Sequence, residues 1–168
     1  MELVSHDWWT FCFRWLHIMS GVMWIGHLWY FNFTQAPTMP KIPAELKPAI
    51  GKFILPEALY WFRWGAMATL VTGLCLAYLM GELQGALTLG IGQASTHLTA
   101  LGFGMWFAII MWFNVWFIIW PNQKKVIGLV EAGDDEKKAA ARTAFLFSRV
   151  NTVLSIGMLY CMASPHFY

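Results

Sequence analysis

The sequence predicts an all-α integral membrane protein, built as a four-helix transmembrane bundle with both termini on the periplasmic or exterior side. Of the 168 residues, 58% are hydrophobic and only 12% are charged, and the mean hydropathy is +0.52. Soluble domains carry about twice that charged fraction. Because so few polar residues cannot cover a soluble domain of this size, apolar side chains must face lipid. We expect a single domain over residues 1–168.

Four apolar stretches are long enough to cross a bilayer, which takes roughly 20 residues per helix. The predicted spans cover residues 8–33, 58–80, 93–120 and 140–163. The third span is expected to stop at Pro121, because proline cannot continue a helix. The acidic residues between Glu131 and Glu136 precede the fourth span, and they predict the charged first turn of a helix.

The distribution of lysines predicts the orientation of the chain. They occur between spans one and two and between spans three and four, at Lys41, Lys47, Lys52, Lys124, Lys125, Lys137 and Lys138. The N-terminal segment, residues 82–92 and the C-terminal tail contain no Lys or Arg. By the positive-inside rule both lysine-rich loops are cytoplasmic. The net charge of +2 gives no reason to expect nucleic acid as a partner, and membrane lipid is the expected one.

Ionisable side chains inside a span are costly and are therefore candidates for function. Span one contains Arg14, His17 and His27, span three contains His97, and His166 follows span four. In the predicted topology His17, His97 and His166 all fall in the outer half of the bilayer. Neutral imidazole is a common axial ligand of haem iron. We therefore expect His17 to ligate a metal, with His97 or His166 as the second ligand.

Residues near these histidines suit a flat cofactor. Arg14 lies one turn before His17, and Gly21 and Trp24 lie one and two turns after it. A glycine lets a macrocycle approach the backbone, an indole can flank it, and an arginine can pair with a propionate. Gly104 shares the histidine-bearing face of span three, where a small residue allows a cofactor or a close helix crossing. The expected cofactor is haem b.

Two polar residues fall in the predicted inner half. Asn114 lies in span three and Arg149 in span four, and the short loop between these spans makes them neighbours. We expect a hydrogen bond between the two side chains that ties the two helices together.

Several strings resemble, in order, the membrane domain at the N-terminus of bacterial membrane-bound urate oxidases (urate hydroxylases). They are Arg14-Trp15-Leu16-His17, Trp24-Ile25-Gly26, Pro56-Glu57, Trp61-Phe62-x-Trp64, Asn114-Val115, Pro121-x-Gln123-Lys124-Lys125 and Ser164-Pro165-His166-Phe167-Tyr168. The resemblance implies a redox-linked module of the bacterial inner (cytoplasmic) membrane. Full-length members continue into a cytochrome c domain, so this chain is expected to be a short stand-alone version. A cytochrome c-type protein or other membrane subunits are the implied partners.

The histidine and the Trp-x-Gly string of span one also resemble the small membrane protoporphyrinogen oxidases, which carry haem b. Three functions stay open at this stage, and a metal transporter that uses His17, His97 and His166 ranks below them. The first is a membrane redox protein that binds haem b in the outer half of the bilayer. The second is an oxidase of urate or a similar heterocycle, with Arg14 or Arg149 as the charge partner and Trp15 or Trp24 stacked on the ring. The third is a non-catalytic accessory subunit of a larger membrane complex.

Overall fold

The computed structural model describes residues 5–164, and their regular structure is helical, with no strand among them. The first long helix, α1, spans His6–Trp29 and continues directly into a π-helix over Tyr30–Gln35. Short helical turns at Ala36–Thr38 and Met39–Lys41 follow, in the region where the sequence is rich in proline.

Four further helices complete the described chain. They are α2 (Lys47–Leu79), the short α3 (Leu83–Leu87), α4 (Thr96–Val126) and α5 (Asp134–Ala163). A π-helical segment lies within α2 at Ile50–Ile54 and another within α4 at Asn114–Ile119. By length and composition α2, α4 and α5 can each cross a membrane, and most of their apolar windows are not buried inside the protein. These three helices are therefore candidate membrane spans.

The first helix differs from these three in composition. It is 24 residues long, yet Arg14, His17 and His27 interrupt its apolar stretch, and it is not among the three helices that qualify as spans. The prediction of four spans is thus confirmed for three helices, and for α1 it stays a prediction.

Two of the long helices begin with side chains that stabilise a helix N-terminus. The hydroxyl of Ser5 accepts a hydrogen bond from the backbone N–H of Trp8 at 3.3 Å and so caps α1. The first turn of α5 carries three acidic residues, from Asp134 to Glu136, where their charge meets the positive end of the helix dipole. The predicted acidic start of the fourth long helix is confirmed.

The end of α4 lies beyond the predicted one. The helix passes through Pro121 and stops at Val126. The π-helix over Asn114–Ile119 ends just before this proline, which then occupies the first turn of a new α-helical stretch. A proline in a first turn removes an N–H group that needs no partner in the helix, so it does not end the chain's helical path.

The contact between α1 and α2 is one of the two extensive helix contacts in the structure, the other being that between α4 and α5. Small residues recur at every fourth position of α2, at Gly65, Thr69 and Gly73. A Cβ atom added to Gly65 would lie 3.2 Å from the backbone nitrogen of Trp24, so the two backbones approach closely there. Such stripes of small residues let helices pack in lipid, where dispersion contacts drive association.

A buried amide pair joins α4 to α5. The Asn114 side chain donates to Oδ1 of Asn151 at 2.8 Å, and Asn151 Nδ2 donates to the carbonyl of Met111 at 2.9 Å. The expected partner, Arg149, takes no part: it is exposed, and its guanidinium lies 4.5 Å from the centre of the Phe145 ring. Two residues turn a helix by about 200°, so Arg149 points away from the face that carries Asn151.

Side chains near the far end of α1 connect it to α5. The indole N–H of Trp29 donates to the hydroxyl of Ser155 at 3.0 Å, and the Asn32 amide donates to the hydroxyl of Ser148 at 2.7 Å. Together with the α1–α2 and α4–α5 contacts, these bonds hold the four long helices around one core. Its largest fully buried side chain is Trp24.

Replacement of Asn151 by alanine is expected to lower the free energy of unfolding by about 1–2 kcal/mol. The substitution leaves the Asn114 amide and the Met111 carbonyl without their partners, and interhelical hydrogen bonds in membrane proteins contribute on this scale. Thermal unfolding of the detergent-purified protein measures the effect. The matched control is Arg149→Ala on the same helix, which should change stability by less than about 0.5 kcal/mol. Equal losses in both variants would contradict the assignment.

Candidate functional site

A cavity of about 310 Å³ lies between the long helices, at the end of the molecule near α3. Four ionisable side chains line it: Arg14 and His17 from α1, Glu82 from the segment before α3, and His97 from the first turn of α4. The rest of its wall is mainly apolar and includes Ile18 of α1 together with leucines, alanines and methionines of the other three long helices. We call this space the histidine cavity.

The orientation of His17 is set by α2. Its Nδ1 atom lies 3.0 Å from the backbone carbonyl oxygen of Thr69, and the hydroxyl of Thr72 is 3.5 Å from the same nitrogen. Because a carbonyl can only accept a hydrogen bond, Nδ1 carries the proton and donates it. The Nε2 atom then keeps its lone pair. Histidines that bind metals commonly have this outer hydrogen bond, which selects the tautomer and orients the ring.

Gly73 provides the space in which the imidazole lies. A Cβ atom at this position would be 2.7 Å from Cε1 and 3.0 Å from Nδ1 of His17, which is too close for any side chain. Gly73 was not predicted from the sequence. The signal that could have identified it is the repeat of small residues on α2, since Gly73 follows Thr69 by one turn and Gly65 by two.

An acid–imidazole pair forms another part of the cavity wall. Nε2 of His97 lies 3.1 Å from a carboxylate oxygen of Glu82, and the side chains are 30% and 22% exposed, respectively. His97 was a predicted site residue, whereas Glu82 was not predicted. Because Glu82 comes just after α2 and His97 starts α4, the pair links the two ends of the intervening loop.

Arg14 lies at the exposed edge of the histidine cavity. Among the described residues, its guanidinium forms one weak hydrogen bond, from Nη2 to the sulfur of Met80 at 3.8 Å. The guanidinium therefore has most of its five hydrogen-bond donors available for an anionic group.

Three other predicted cofactor neighbours lie elsewhere. Gly21 faces α2, where an added Cβ would be 3.9 Å from the Thr69 methyl group. Trp24 is fully buried in the core, and its indole nitrogen has no hydrogen-bond partner in the described part of the chain. Gly104 packs against Met162 of α5, with an added Cβ at 3.2 Å from that side chain. None of the three lines the histidine cavity, because each instead permits or fills a contact between helices.

The described residues offer no preformed site with several metal-binding side chains. Within residues 5–164, no three or more His, Cys, Asp or Glu side chains lie close enough together to hold a metal ion. The third predicted ligand, His166, lies outside these residues. Haem iron needs at most two axial protein ligands, so a haem does not require such a cluster.

Gly73→Ala is expected to destabilise the protein by about 1–3 kcal/mol, because the new methyl group overlaps the His17 ring and must displace it from Thr69. Gly21→Ala is the matched control on the same interface. Its methyl group meets only an ordinary contact, and alanine favours the helix. Thermal unfolding in detergent and imidazole ¹⁵N shifts of His17 report both effects. Unaltered His17 shifts in Gly73→Ala would disprove the close contact.

The comparison with protein families concerns the second half of the chain. Residues 86–168 match the family model described as urate oxidase N-terminal, whereas no curated protein and no solved structure matches the chain. The matched region includes α4 and α5 with His97, while His17 lies before it. The earlier resemblance is thus confirmed over residues 86–168, which are similar to the urate oxidase N-terminal family.

Proposed function

We propose that this chain is a membrane redox protein that binds haem b in the histidine cavity and passes electrons to or from a partner. The observation that carries this proposal is which ring nitrogen of His17 carries the proton. Its Nδ1 proton is donated to the Thr69 carbonyl, so Nε2 of the neutral ring keeps a lone pair at the wall of a mainly apolar cavity. This is the arrangement expected of a neutral axial imidazole ligand.

The other residues of the cavity fit the same group. The apolar wall suits part of a porphyrin face, and the guanidinium of Arg14 at the exposed edge suits a propionate. At about 310 Å³ the cavity holds only part of the macrocycle, so the rest would extend from its open side. His97, in the first turn of α4, is the candidate for the second ligand. When bound, the haem would supply an iron that gains and loses one electron, while the protein would orient it and keep water from it.

The carboxylate of Glu82 orients the His97 ring, as the outer hydrogen-bond partner of a metal-ligating histidine does. A carboxylate that accepts a hydrogen bond from one imidazole nitrogen increases the electron density on the ring and holds its orientation. In the structure this bond involves Nε2 of His97. Ligation of iron through Nε2 of His97 would therefore require this bond to Glu82 to break.

We further infer that α1 is a fourth span and that both termini lie on the periplasmic side of a bacterial cytoplasmic membrane. Its 24 residues correspond to about 36 Å, more than the roughly 30 Å of the hydrocarbon core. Large apolar side chains on its surface are exposed, among them Phe11, Ile18 and Val22. This topology would place all the loop lysines on the cytoplasmic side. The electron partner would be a cytochrome c-type protein or another membrane subunit.

The reduced-minus-oxidised absorption spectrum tests the haem proposal. Protein expressed with added haem should show a b-type signal, and His17→Ala and His97→Ala should each lose or strongly shift it. The matched control is His27→Ala. Among the described residues, His27 hydrogen-bonds to the backbone of the same helix, at the Met23 carbonyl, and it does not line the histidine cavity. A folded, colourless wild-type protein would overturn the proposal and favour an accessory subunit.

A second candidate is an oxidase of urate or a similar flat heterocycle. The family match favours it, and so does the size of the histidine cavity. At about 310 Å³ the cavity is at the small end of the range for ligand pockets, roughly 300–1,000 Å³. Arg14 lines the cavity and would pair with the anion, whereas Arg149 stacks on Phe145 elsewhere.

Loss of urate in the presence of an artificial electron acceptor measures this second activity. The Arg14→Gln variant should lose at least tenfold in kcat/KM, because a charged hydrogen bond to the anion is removed. Arg149→Gln should retain the wild-type value. If folded protein with the acceptor consumes no urate, this candidate is excluded.

A further inference from the structure

A second cavity, of about 190 Å³, lies at the opposite end of the molecule. It is bounded by the continuation of α1 and by α2, α4 and α5. Asn32, which lines it, follows His17 by 15 residues, or roughly 22 Å along a helix. Three amide side chains line this space, those of Asn32, Gln35 and Gln123. We call it the amide cavity.

Two oxygen atoms at this cavity are buried without a hydrogen-bond partner in the described part of the chain, Oδ1 of Asn32 and Oε1 of Gln35. The orientation of the Asn32 amide is determined by its neighbours. Nδ2 donates to the carbonyl of Leu28 at 2.9 Å and to the hydroxyl of Ser148 at 2.7 Å. Since the carbonyl can only accept, the oxygen of Asn32 is left as an acceptor, and an occupant has to supply a donor.

Both residues lie in the π-helix over Tyr30–Gln35. A π-helical turn is wider than an α-helical one and changes the direction of the side chains that it carries, and such turns are frequent at functional sites. The π-helix of α4 ends at Ile119, which lines the same cavity. Two helices therefore depart from α geometry where they meet this space.

The size and walls of the amide cavity restrict its occupant. A cavity of about 150 Å³ with apolar walls holds one benzene molecule, so about 190 Å³ admits one six-membered ring with small substituents. Three aromatic side chains contribute to the wall, Phe31, Phe62 and Phe145, and no charged residue is among the described residues that line it. An anion such as urate would have no charge partner there. A neutral aromatic molecule therefore fits these walls best.

We propose that the amide cavity binds the headgroup of a hydroquinone, that is, of a membrane-soluble quinol. Its single ring fits the volume and the aromatic wall. Its hydroxyl groups supply the donors that Asn32 Oδ1 and Gln35 Oε1 lack. This inference goes beyond the haem proposal, because the binding depends on residues distant from the histidine cavity.

Methylhydroquinone is the probe, because it has one ring and two hydroxyls and carries no isoprenoid tail that would enter detergent micelles. Its dimethyl ether keeps the ring but has no hydrogen-bond donor. In a ligand-observed NMR titration of the purified protein, the hydroquinone should bind at least tenfold more tightly than the ether. Equal affinities, or no binding of either compound, would overturn the proposal.

Gln35→Leu should weaken methylhydroquinone binding roughly five- to tenfold, the effect of one lost neutral hydrogen bond. The matched control is Thr34→Val in the same π-helix, since Thr34 is exposed and does not line the cavity. Ala141→Leu, which adds bulk at the exposed rim of the cavity and keeps both amides, should also weaken binding. Unchanged affinity in Gln35→Leu and Ala141→Leu would refute the site.

The haem proposal and the hydroquinone proposal can be tested independently of each other. His17→Ala should keep its affinity for methylhydroquinone even if its absorption spectrum changes, and Gln35→Leu should keep the spectrum of the wild-type protein. A loss of hydroquinone binding in folded His17→Ala protein would place the probe in the histidine cavity and contradict the inference.

Discussion

The close packing of α1 on α2 is the contact on which the rest of the structure depends. In lipid, helices gain little from the hydrophobic effect, so they associate through dispersion contacts and hydrogen bonds. The small residues Gly65, Thr69 and Gly73 allow that contact on α2. They also determine the chemistry, because the imidazole of His17 lies over Gly73 and donates to the carbonyl of Thr69. One interface thus provides both stability and the orientation of the candidate ligand.

The two cavities lie on either side of the core that this interface helps to form. Trp24 and Leu28, both fully buried, occupy α1 between the residues that line the histidine cavity and those that line the amide cavity. Each cavity combines an apolar wall with a few polar groups, which is the usual composition of ligand sites in proteins. They differ in charge: Arg14, Glu82 and two histidines line the first, and the described lining of the second is neutral. Different ligands are therefore expected at the two ends.

Much of the architecture was predictable because hydropathy and charge are local properties. Composition and the apolar stretches identified a helical membrane protein, and the acidic residues marked the start of α5. The same reasoning failed at Pro121, where a π-helix lets the helical path continue, and at Arg149, which lies on a different face from Asn151. In both cases the outcome depends on backbone geometry within a helix, which hydropathy does not report.

The sequence by itself determined that the chain enters a membrane as helices, and that Arg14, His17 and His97 are costly there and call for a function. Only the tertiary structure decided which of these residues meet. It brought the three into one cavity, added Glu82 and Gly73, and assigned Gly21, Trp24 and Gly104 to contacts between helices. The physical reason is that the cost of a buried charge can be calculated from one helix alone. The partner of that charge depends on how the helices pack, through contacts between residues far apart in the chain.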